Sequence, residues 1–130
     1  MSKAILDALK IRLLASGLAT SLGSRIALDQ GAADLALPLM VYRAESVAIL
    51  PIFGTSERVE VAFVFDFFTD STNGYTLHGF STALETALAT VLTATGYDRV
   101  TFIRTSAGTP TFVDDGWTMS DRYKAVGFKL

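Results

Sequence analysis

The chain has 130 residues, 11 of them basic and 13 acidic, for a net charge of -2. Half of the residues are hydrophobic and only 18% are charged, against a usual value of about 25%. That balance excludes a disordered chain, a basic nucleic-acid coat and an acidic tail.

The length fits one domain spanning residues 1–130. Size scaling buries about two thirds of the surface of such a chain, enough for a core without staples. There is no cysteine, so disulfides, zinc–thiolate sites, iron–sulfur clusters and thiol nucleophiles are excluded. A single histidine, His78, excludes a multi-histidine metal site within one chain. No run reaches the roughly 18 to 20 apolar residues of a membrane span. Asp7 and Lys10 interrupt the N-terminal apolar stretch, so no signal peptide is expected and a soluble intracellular protein is the default.

Ile5, Leu6, Leu9, Leu13 and Leu14 recur at helical spacing and predict an amphipathic helix over about residues 3–16, stopped by Gly17. Residues 17–37 read as a loop of small residues with a short strand at Arg25 to Leu28. Pro38 opens an apolar strand through about Ser46. Residues 47–56, with Pro51 and Gly54, read as an uncharged apolar turn. From Val59 to Phe68 strict alternation predicts a long strand. Its odd face is wholly apolar and its even face mixes Val64 and Phe68 with Glu60 and Asp66.

After a polar turn at 70–74, Leu77, Phe80, Leu84, Leu88, Val91 and Leu92 predict a helix over about Thr76 to Thr95, ended by Gly96. Val100 to Thr105 and Ser120 to Leu130 alternate as two further strands. The order predicts an α+β fold, an antiparallel sheet of about four strands with two helices on one face.

No catalytic constellation emerges. His78 has no sequence partner for a nucleophile or base, Asp114-Asp115-Gly116 lacks the spaced ligands of a calcium loop, and Asp66 and Asp70 read as a solvated strand end. The arginines are dispersed and not interleaved with aromatics, and no Gly-rich phosphate loop is present. Catalytic, cofactor-binding and metal-binding residues are therefore expected to be absent, and the chain is not read as an enzyme. The surplus is apolar surface, placed on the sheet's open face and in the 47–56 turn. Ile49, Leu50, Ile52, Phe53, Val64 and Phe68 are the expected subunit or partner contacts. A pocket between sheet and helices lined by Phe63, Phe65 and Phe80 is the competing small-ligand reading.

The N-terminal helix, then Gly23-Ser24-Arg25-Ile26, then Leu37-Pro38 running into Leu39-Met40-Val41-Tyr42, are followed by the alternating strand. The Leu77 to Leu92 helix and the strands at Val100 to Arg104 and Tyr123 to Leu130 complete the series. In this order the chain resembles the tail-completion proteins of long-tailed phages, called tail terminators or minor tail proteins, a family found also in prophages and gene transfer agents. The resemblance implies a structural virion protein, a homo-oligomer in a hexameric ring at the head-proximal end of the tail tube. Such a ring ends tube polymerisation and joins the tail to the head connector or head-closure protein. The implied partners are the tail tube protein and the connector, with DNA passing through the channel without specific binding. The resemblance implies no membrane and no cofactor, and it implies assembly in the host cytoplasm. Another neck component, a head-closure or connector adaptor, is the alternative.

Overall fold

A computed structural model describes residues 3–28, 37–51, 57–70, 74–113 and 116–130. Helix α1 (Lys3–Leu14) and helix α2 (Gly17–Leu22) lead into strand β1 (Ile26–Leu28). Strands β2 (Leu39–Pro51) and β3 (Glu57–Thr69) precede helix α3 (Tyr75–Ala87). Strands β4 (Tyr97–Ser106), β5 (Thr111–Val113) and β6 (Gly116–Lys129) complete the chain.

The sheet is not the antiparallel four-stranded one that the sequence predicts. Among the described residues it has six strands in the order β1-β2-β3-β6-β4, with β5 on β6, and it is mixed because β1 pairs parallel to β2. Among the described residues three helices, not two, contribute to the core. The extra helix α2 lies in the stretch of small residues read as loop. Leu18 and Leu22 stand one turn apart there and are both buried, which fixes a turn and a half that propensity alone does not announce. The helix stops at Gly23, whose left-handed φ of 59° lets its N–H turn back to the helix carbonyls.

The 47–56 segment also differs from expectation. Residues 47–51 are not a turn but the second half of β2, paired with β3 out to Pro51 opposite Glu57. A bulge between Ala44 and Ser46 shifts the alternation by one residue. Met40, Tyr42 and Ala44 share the helix side with Phe67, Phe65 and Phe63, and past the bulge Val47 and Ile49 take that side opposite Val61 and Val59. Pro51 stands at the strand's end, where a missing N–H costs the ladder least. Residues 52–56, with Ile52 and Phe53, lie outside the described residues.

The core fills one side of the sheet. Ile5, Leu9 and Leu13 of α1, Leu18 and Leu22 of α2, and Leu77, Phe80 and Leu84 of α3 close over Met40, Tyr42, Phe63, Phe65 and Phe67. The rings interlock. Tyr42 stacks on Phe65 at 6.0 Å, Tyr123 meets Phe65 edge-on at 5.6 Å, and Phe80 tilts against Phe67 at 6.1 Å. Each such pair adds about 0.5–1.5 kcal/mol beyond burial. Phe63, Phe65 and Phe80 thus fill the core, and no observation favours them as a ligand pocket.

Helix α3 ends at Ala87, well short of Thr95. Arg12 of α1 explains the early stop. Its guanidinium donates to the carbonyls of Ala87 (3.1 Å), Thr90 (3.2 Å) and Val91 (2.9 Å). A cation at a helix C-terminus satisfies orphan carbonyls and opposes the negative end of the dipole. Leu92 then exchanges two backbone hydrogen bonds with Val100, which carries the chain back to the sheet. Leu92 is therefore buried by a bridge, while Val91 is exposed.

Candidate assembly surfaces

The side of the sheet away from the helices carries a charge network in place of the expected apolar face. In register across β2, β3 and β6 stand Arg43, Val64 and Arg122. Arg43 donates to Asp66 at 2.7 Å, and Ser120 also donates to Asp66. Glu45 pairs with both Arg43 and Arg122, so it reaches across β3 at the level of Val64. Farther along, Glu60 accepts from Lys124 at 3.0 Å and Arg58 at 3.2 Å. The Lys124 hydrogen bond, with the positive fields of Lys124 and Arg58, holds the Glu60 carboxyl below its ordinary value against a smaller opposing effect of burial. Alternation in β3 places Glu60 and Asp66 on this face. The pairing of the network was not legible, because it joins residues up to 77 positions apart.

The network changes the standing of two expected contacts. Val64 is 1% exposed, flanked by the aliphatic stems of Arg43 and Arg122 and bridged by Glu45. Phe68 is half-buried opposite Thr118. Ile49 and Leu50 remain free, at 60% and 42% exposed, on opposite faces at the far end of β2. Leu50 and Phe128 flank Arg58 in register, and Phe128 is exposed as well.

A second polar node, missed in the sequence, lies on the helix side. Asp121 is 0% exposed, in phase with Met119, Tyr123 and Ala125. Ser81 of α3 donates to its Oδ2, and the Gly108 N–H donates to its Oδ1 at 3.0 Å. Arg104 sits 3.8 Å from Asp121 and 2.9 Å from Glu85, and donates to the Tyr123 hydroxyl at 3.2 Å. Burial works against the Arg104 charge, but Tyr123, Asp121 and Glu85 outweigh it and raise its pKa. Burial is also the main cause of a raised pKa at Tyr123, with Arg104 pulling the other way. The node ties α3, β4, β6 and the segment before β5 together. A lone aspartate in an alternating strand signals such a site only once Ser81 and Arg104 are known to face it.

The remaining candidates fall apart in space. His78 is exposed on α3 beside the Tyr75 ring. Asp66 is engaged with Arg43 and Ser120, Asp70 is exposed, and Asp114 and Asp115 lie outside the described residues. Among the described residues no three metal-ligating side chains gather, and no helix is long and apolar enough to cross a membrane. A surface groove of about 670 Å³ runs between α1 and residues 92–95, with Ala8, Ile11, Arg12 and Leu92 in its walls.

No family model matches the chain, and no curated protein matches its sequence. The fold, however, has solved counterparts. A chain from a structure described as the virion of a native gene transfer agent (GTA) particle matches with a TM-score of 0.74, over 98% of this chain and 99% of that one. This protein shares the fold of that virion chain. The two are 22% identical, so the likeness is one of architecture from end to end.

Proposed function

We propose that this protein is a structural virion subunit that forms a ring at the head-proximal end of a tail tube, ends tube polymerisation and joins the tail to the head connector. The observation that carries this reading is the end-to-end match to a chain of a gene transfer agent virion, with almost nothing left over in either chain. Two surface features support it. The far end of β2 presents Ile49 and Leu50, apolar side chains suited to a neighbouring subunit or tube. The open sheet face has its cations already engaged, Arg43 with Asp66 and Glu45, Arg122 with Glu45, and Lys124 with Glu60. Phosphate binding is driven by available Lys and Arg, so a channel lined by this face would let DNA slide without holding it.

The role is tested by adding the purified protein to polymerising tail tube protein from the same particle. Tubes stopped at one end at substoichiometric ratios are expected. Unaltered tube length together with binding to the head connector would reassign the chain to a head-closure or adaptor role.

A further inference from the structure

Among the described residues, each edge of the sheet is only partly covered by the chain itself. Among the described residues, β1 covers β2 only at Met40–Tyr42, which leaves the outer edge of residues 43–51 without a partner strand. On the other side β4 is bridged by Leu92 at Val100, and its outer edge beyond that residue has no partner strand among the described residues. Natural edges are guarded by charge, proline or brevity. Neither Ser46–Leu50 nor Thr101–Ile103 carries a charge, and both expose aliphatic side chains, Ile49 and Leu50 on the β2 edge and Ile103, at 50%, on the β4 edge.

The directions of the two edges agree. β2 is antiparallel to β3, β3 to β6, and β6 to β4, so β4 runs opposite to β2. A second copy related by rotation, with the same end up, therefore brings its β4 antiparallel against this β2 with like faces aligned. The levels agree too. One row across the sheet is Ala48, Glu60, Val126 and Thr101, and the next on that face is Ser46, Ala62, Lys124 and Ile103. The open stretch of each edge thus lies at the height of the other.

We infer that the β2 edge of one subunit pairs with the β4 edge of the next copy, Ala48 facing Thr101 and Ser46 facing Ile103, in a head-to-tail contact that continues the sheet around the ring. The inference rests on the ring reading and specifies its subunit contact.

The chain has no cysteine, so introduced thiols report only the designed contact. The variants are Ala48→Cys/Thr101→Cys and Ser46→Cys/Ile103→Cys, with Ala48→Cys/Ile103→Cys and Ser46→Cys/Thr101→Cys for a two-residue shift. Each is assembled, alone or on tail tube protein, and treated with an oxidant or a short bis-maleimide. A ladder of covalent multimers rising to the ring number on a non-reducing gel, with single-cysteine variants staying monomeric, is expected. A ring seen by light scattering that yields no ladder from any pair would overturn the edge contact and leave the ring standing. Dimers from Ala48→Cys alone would overturn it in favour of like edges meeting. Absence of any assembled species, with or without tube protein, would overturn both the contact and the ring.

Discussion

Asp121 and Gly108 show how single residues hold this fold. The Asp121 carboxylate, itself fully buried, takes hydrogen bonds from the buried Ser81 and the half-buried Gly108 and faces the half-buried Arg104. Asp121→Ala leaves these donors without their acceptor. A destabilisation of about 2–4 kcal/mol is expected in urea unfolding, with Asp121→Asn losing less because it keeps an acceptor. Gly108 is fixed by space, since a β-carbon there collides with the backbone oxygen of Ser120. Gly108→Ala is expected to release the segment before β5, read as faster amide exchange in β5 with little change in α1. The composition shows that Asp121 and Gly108 exist, but their partners lie 40 and 13 residues from Asp121 along the chain, and no local pattern joins them.

At the scale of elements, α3 depends on Arg12. One guanidinium meets three carbonyls at its end, so Arg12→Ala is expected to cost about 1–2 kcal/mol and Arg12→Lys to recover only part of it. Thermal unfolding of the two variants checks this. The β2–β3 hairpin gives the prediction closest to function. Ile49→Asp and Leu50→Asp change exposed side chains, so the subunit is expected to stay folded while the concentration needed for assembly rises at least about tenfold, roughly 1.4 kcal/mol. Unchanged assembly would remove this end of β2 from the interface. The hairpin also marks what the sequence reveals. The alternation from Val59 to Phe68 predicts β3 almost to its ends because one face is uniformly apolar. The second half of β2 is hidden because the bulge at Glu45 breaks the alternation and Pro51 imitates a turn. Val64 reads as open surface because nothing in β3 reports that Arg43, Glu45 and Arg122 converge around it.

The whole molecule is a one-sided core under a sheet whose other face is salt-bridged. That division sets its response to pH. Glu60 has a lowered carboxyl pKa through Lys124, so its contribution is present above the ordinary value of 4.5 and is lost as pH falls through the lower folded value. Tyr42 and Tyr123 have raised values through burial, with Asp7 adding at Tyr42, so their contribution is present below the ordinary 10.0 and is lost as pH rises beyond it. Chemical unfolding across pH is expected to show a plateau between these limits, with Glu60→Gln flattening the acid limb. Among the described residues the sheet also has two partly covered edges, and the ring is the claim on which the account turns. The most direct test is the mass of the protein in solution, by light scattering after size exclusion over a concentration series, repeated with tail tube protein. A discrete species near six times the 14.0 kDa subunit mass is the predicted result. A monomer at every concentration, unchanged by the tube protein, would contradict the account.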